Sequence, residues 1–82
     1  MAEIWSQPNC MACNQAKKLL EQRGIPYSEK MIGVNGYTKK DLIDRVPDAR
    51  SVPQIFIDGE YLGGFIELQQ LLNDNNQRTK MV

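Results

Sequence analysis

Apolar positions fall in short groups along the chain, and the spacing within each group predicts an element. Glu3-Ile4-Trp5-Ser6 predicts a strand, closed by Pro8. From Cys10 the period lengthens. Ala16, Leu19, Leu20 and Arg23 recur at three and four, with Lys17, Lys18, Glu21 and Gln22 on the opposite, solvated face, which predicts a helix. Gly24 and Pro26 end it. Residues 26–32 predict a second strand, with Tyr27 and Met31 as core candidates. Gly33-Val34-Asn35-Gly36 is turn chemistry. Thr38 and Asp41 are spaced as a capping box, and Leu42, Ile43 and Val46 form the apolar stripe of the helix that follows, which stops at Pro47-Asp48. Gln54-Ile55-Phe56-Ile57 is an apolar strand, Asp58-Gly59 a two-residue hairpin signal, and Glu60-Tyr61-Leu62 the return strand. Phe65, Leu68, Leu71 and Leu72 trace a last amphipathic helix. Beyond it, residues 74–82 are polar and expected to form a flexible tail.

This order is strand, helix, strand, helix, hairpin, helix. A strand–helix–strand unit closes right-handed with parallel strands. The hairpin adds antiparallel strands, so an α/β domain over residues 1–73 is expected, its mixed sheet covered by helices on both faces. At 82 residues, such a domain has one modest core and is marginally stable on it. Ten basic and ten acidic residues leave no basic footprint for nucleic acid, and no apolar run reaches the roughly 18 residues of a membrane span. Met1-Ala2-Glu3-Ile4-Trp5 has neither the basic start nor the apolar stretch of a signal peptide. A reducing, cytoplasmic setting is therefore expected, where a close cysteine pair is catalytic or metal-binding more often than a staple.

Cys10-Met11-Ala12-Cys13 follows a predicted strand and opens a predicted helix. The first turn of a helix has unpaired N–H groups and a positive dipole end. A thiolate there is stabilised. Cys10, at the mouth, is the expected nucleophile. Cys13, one turn in on the same side, is placed to attack a mixed disulfide formed at Cys10. The alternatives are zinc, a structural disulfide and a [2Fe–2S] cluster shared between two chains. Zinc usually takes four Cys or His ligands, and this chain has two cysteines and no histidine. A disulfide closing so short a loop stabilises little in the loop-entropy account. The cluster needs a second chain and stays open.

Three segments in this order resemble the glutaredoxin family of the thioredoxin fold. They are Ser6-Gln7-Pro8-Asn9-Cys10-Met11-Ala12-Cys13, Ser51-Val52-Pro53-Gln54-Ile55-Phe56-Ile57-Asp58-Gly59, and Gly63-Gly64-Phe65, the last similar to phage-type glutaredoxins and to redoxins that serve ribonucleotide reductase. The resemblance implies a four-stranded sheet of order 2-1-3-4 flanked by three helices. It also implies a monomer that uses glutathione as reductant, with disulfide-bearing proteins such as ribonucleotide reductase as recipients. It makes Val52–Pro53 a cis peptide facing the cysteines and gives Gln7, Val52, Pro53, Gly64 and Phe65 as the residues that receive glutathione or a partner backbone, with Arg50 added from this chain's own sequence. Phe65 also reads as core, as does Trp5. Several family features are absent. The Pro-Tyr often found between the cysteines is Met11-Ala12, a common Lys is Gln7, and an Asp after Gly-Gly is Ile66, followed by Glu67. With two charged handles missing, a variant fed by thioredoxin reductase is the alternative, and Arg50 is the candidate replacement for the lost cation.

Overall fold

A computed structural model describes residues 1–34 and 36–81, with residues 74–81 described by their backbone alone. In chain order the elements are β1 (Ala2–Ser6), α1 (Met11–Gln22), β2 (Tyr27–Met31), α2 (Lys39–Arg45), β3 (Gln54–Ile57), β4 (Glu60–Gly63) and α3 (Phe65–Met81). The strands form one sheet in the order β2-β1-β3-β4. β1 and β2 run parallel, in register from Ala2 opposite Tyr27 to Ser6 opposite Met31, while β1–β3 and β3–β4 are antiparallel. This is the thioredoxin fold.

The alternation of strand side chains divides the interior in two. Ala2 and Ile4 of β1 and Ile55 of β3 join Ala16 and Leu20 of α1 and Leu68 and Leu72 of α3 in one core. Their neighbours Trp5 and Phe56 point the other way and meet Leu42 and Val46 of the α2 segment. Each fully buried Ile or Leu side chain here contributes about 1.5–3 kcal/mol.

α2 is short and depends on its ends. The Thr38 hydroxyl accepts the Asp41 N–H at 3.2 Å, and the Asp41 carboxylate accepts the Thr38 N–H at 2.9 Å, completing the capping box. At the other end the Arg45 guanidinium lies 4.1 Å from the centre of the Phe56 ring and donates to Glu3 at 2.9 Å. Glu3 also accepts the Trp5 indole N–H at 2.7 Å, with the Lys30 ammonium 3.6 Å away. Partial burial pushes the Glu3 carboxyl up. The Trp5 N–H and the charges of Lys30 and Arg45 outweigh it, so Glu3 stays below the usual carboxylate range.

In the hairpin, Asp58 (φ 50°) and Gly59 (φ 85°) are both left-handed, as a two-residue turn matched to the twist of its strands requires. The core differs from expectation at β2. Tyr27 and Met31 are only half-buried, because β2 is an edge strand with all five residues partly exposed. Tyr27 packs on the α1–α3 core with its ring, and its hydroxyl reaches Glu21 at 2.7 Å. The helical backbone of α3 continues past its apolar stripe to Met81. The expected flexibility of residues 74–82 falls on side chains outside those described, as does Asn35 in the predicted turn.

Candidate active site

β1 ends at Ser6, and Gln7-Pro8-Asn9 connects the end of this interior strand to α1. Asn9 takes the left-handed conformation (φ 60°) that asparagine tolerates better than most residues. Cys10 is the N-cap of α1. Its extended backbone (φ −109°, ψ 105°) points the sulfur back over the first turn, where it accepts the Cys13 N–H at 3.1 Å. A sulfur thus fills the place usually taken by a Ser, Thr, Asp or Asn oxygen. No acidic residue stands in the first turn of α1 to offset its positive end. Cys10 and Cys13 are joined by a disulfide, with their Cα atoms 5.2 Å apart. Cys10 is half-buried, whereas Cys13 is 0% exposed. An incoming sulfur can therefore reach Cys10 and not Cys13.

Cys10 opens into a groove of about 420 Å³, within the range of small-molecule sites. Ile32, Leu42, Ile43 and Ala49 supply its apolar surface, and Gln7, Lys39, Arg50, Ser51 and the Val52 backbone its polar groups, with no acidic residue in the lining among the described residues. The Val52 carbonyl oxygen lies 3.8 Å from the Cys10 sulfur. With both sulfurs in the disulfide there is no S–H to donate, so this is a contact and not a hydrogen bond. The Val52–Pro53 peptide is cis.

Gly63-Gly64 brings α3 up against this segment. A Cβ on Gly64 would lie 3.3 Å from the Pro53 carbonyl oxygen, and one on Gly63, whose φ is +135°, only 2.7 Å from the Glu67 Cγ. Gly63 has a φ that other residues rarely adopt, and at Gly64 a Cβ would crowd the Pro53 backbone by a few tenths of an ångström. The Glu67 carboxylate accepts the Gly64 N–H at 2.7 Å.

The predicted residues thus divide. Gln7, Arg50 and Val52 meet beside Cys10 in the groove. Pro53 is buried behind Val52, with Gly64 packed against its carbonyl. Phe65 packs on the α1–α3 core, and its exposed edge faces Gln15, Lys18 and Gln69 in a separate depression. Lys39, at the first position of α2, joins the groove unannounced by any sequence signal beyond its place after the Thr38 cap.

Lys17 differs from expectation as well. In place of a solvated face it has a partner: its ammonium donates to Glu29 at 2.9 Å, and the two side chains are only 19% and 26% exposed. The same Glu29 oxygen accepts the hydroxyl of fully buried Ser6 at 2.6 Å. Partial burial pushes the Glu29 carboxyl up, but the Ser6 hydroxyl and the Lys17 ammonium together hold it below the usual range.

Comparison with known proteins agrees with this geometry. The family model described as Glutaredoxin matches residues 2–62. Glutaredoxin 3 of Escherichia coli K12 is 36% identical over 69 residues, covering 84% of this chain and 82% of that protein. A probable glutaredoxin of Synechocystis is 32% identical, covering 84% and 78%. Among solved structures, glutaredoxin 1 of Francisella tularensis, complexed with cacodylate, superposes with a TM-score of 0.76 at 28% identity, covering 93% of this chain and 95% of that one. A buckwheat glutaredoxin–glutathione complex gives 0.79 at 25% identity, covering 90% and 69%. With a Cys-x-x-Cys pair at the tip of its first helix, an asymmetrically exposed disulfide and matching relatives over most of its length, this chain belongs to the glutaredoxin family and is a thiol–disulfide oxidoreductase.

Proposed function

We propose that the chain draws electrons from glutathione to reduce protein disulfides and glutathione mixed disulfides. One observation carries this reading: the groove beside Cys10 has two cationic side chains, Lys39 and Arg50, and no acidic one. A small thiol bearing a carboxylate fits that charge. The buckwheat relative bound to glutathione supports the same ligand class. The common Lys of the family is Gln7 here, and Lys39 and Arg50 make up the positive charge from other elements.

In the reduced protein the Cys10 sulfur, ionised at the helix tip, attacks a disulfide R–S–S–R′. It forms Cys10–S–S–R and expels R′S⁻, which takes a proton from solvent. Cys13 then attacks the Cys10 sulfur, expels RS⁻ and leaves the Cys10–Cys13 disulfide seen in the structure. Two glutathione thiolates restore the dithiol. The first attacks Cys10 and expels the Cys13 thiolate. The second attacks the glutathione sulfur of that mixed disulfide, expelling the Cys10 thiolate and releasing glutathione disulfide. Ribonucleotide reductase is a candidate recipient, a monomer the working species, and the cytoplasm the place.

The test couples glutathione, glutathione reductase and NADPH to a small glutathione mixed disulfide. Cys10→Ser is expected to abolish turnover. Cys13→Ser is expected to keep turnover on that substrate and to trap protein disulfides as mixed disulfides. Turnover by the Cys10→Ser protein would overturn the reading. Reduction of the oxidised protein by thioredoxin reductase but not by glutathione would replace glutathione as the source of electrons.

A further inference from the structure

The disulfide exposes a problem that the groove does not address. When a thiolate attacks Cys10, the S–S bond breaks, the new bond forms at Cys10, and the electron pair leaves on the Cys13 sulfur. Cys13 is 0% exposed, so no water solvates the departing charge. A charge released into a dry site needs a fixed partner. Lys17 follows Cys13 by four residues on α1. It therefore lies on the same helix face, and its stem is directed back along the helix towards Cys13. Its ammonium is not free to wander. Glu29 on β2 holds it, and Glu29 is itself anchored by the hydroxyl of Ser6, the last residue of β1 before the crossing to Cys10.

We propose that Lys17 is a positioning residue for the exchange reaction: the Ser6–Glu29–Lys17 chain aims an ammonium at the buried end of the dithiol, where it stabilises Cys13 as the leaving thiolate. The proposal rests on Cys10 being the sulfur attacked. The partial burial of the pair supports it, because the cost of desolvating two charges offsets part of their attraction and leaves the pair a modest device for stability alone. A purely structural pair would fasten α1 to β2 and leave the rate of S–S cleavage unchanged once the protein is folded.

Among the described residues, the ionisable groups around this ion pair are Lys17 itself, Glu29 and Tyr27 from β2, Glu21 (which accepts the Tyr27 hydroxyl) and the two cysteines. The core that β1, β3 and α3 pack against the buried face of α1 includes Ala2, Ile4, Ile55, Leu68 and Leu72. A neighbouring cation lowers a thiol's proton affinity. A more acidic thiol leaves faster, and the expected change in the rate of cleavage is roughly threefold.

The test measures reduction of the Cys10–Cys13 disulfide by dithiothreitol under pseudo-first-order conditions, followed by tryptophan fluorescence. Lys17→Met, which keeps the stem and loses the charge, should slow reduction about threefold, and Lys17→Arg should restore it. Alkylation of Cys10 by iodoacetamide in a Cys13→Ser background should be the same with Lys17 or Met at that position. Equal reduction rates for wild type and Lys17→Met would overturn the proposal. So would equal slowing of Cys10 alkylation in the Cys13→Ser background, because the effect would then be general to the site. Should Lys17→Met not fold, Lys17→Gln, which removes the charge and keeps a polar end for Glu29, is read against the same criteria. If Cys10 in the Cys13→Ser protein alkylates no faster than free cysteine, the fault lies with the parent mechanism and not with Lys17.

Discussion

Neutralising both cations in the groove should weaken capture of glutathione while leaving the sulfur chemistry intact. Lys39 opens α2 and Arg50 sits in the loop before Val52; both are exposed, and both line the groove that opens on Cys10. A carboxylate held about 4 Å from either would gain about 1 kcal/mol in a water-like dielectric. Salt screening and the ordering of a long side chain reduce that to about 0.5 kcal/mol each. Because no acidic residue lines the groove among the described residues, none of them cancels the sum. About 1 kcal/mol in all corresponds to roughly a fivefold rise in the KM for glutathione. The variant is Lys39→Gln with Arg50→Gln, which keeps the stems that cover apolar surface. Initial rates of NADPH consumption, with glutathione varied, give KM and kcat separately. Near 1 M salt, where the screening length is about 3 Å, the two proteins should converge. A neutral thiol such as 2-mercaptoethanol should react equally with both. An unchanged KM, or a fall in kcat at constant KM, would refute the reasoning, since the charges would then have no part in binding or would act on the reacting sulfur.

Two further outcomes follow from the packing. Leu20 is 0% exposed and lies in the core that holds α1 against the sheet, so Leu20→Ala should cost about 3 kcal/mol, read from the urea midpoint at unchanged slope. Stability should also fall in acid. Glu3 and Glu29 are both held below the ordinary value of 4.5, so in acid the unfolded chain binds more protons than the folded one. Their contribution is fully present above that value and is lost as the pH falls through their lower folded values. Urea titrations from about pH 6 to pH 3 should show this decline, and Glu3→Gln with Glu29→Gln should flatten it. An unaltered slope in the double variant would place the acid-sensitive groups elsewhere.

Much of this architecture is legible in local pattern. The capping pair Thr38 and Asp41 marks the start of α2, Asp58-Gly59 marks the hairpin, and the alternation through Ile4-Trp5 and Ile55-Phe56 assigns each side chain to one of two cores. The cysteines are equally legible, because helix geometry alone puts the first at the tip and the second one turn below it on the same side. Met31 misleads, and Tyr27 packs on the core only in part, because an apolar residue reads the same in an edge strand as in a central one, and β2 has a neighbour on one side only.

Lys17 and Lys39 mark the boundary between the two kinds of information. Both look like solvated helix lysines. One is drawn under α1 by a carboxylate twelve residues away, and the other is brought to Cys10 by the packing of α2 against Trp5 and Phe56. Repeats of two and of three to four residues follow from the geometry of a single strand or helix, so the chain alone determined its elements, their order and the place of its reactive pair. Which charges stand beside those sulfurs depends on how separate elements are stacked, and only the folded molecule decides that.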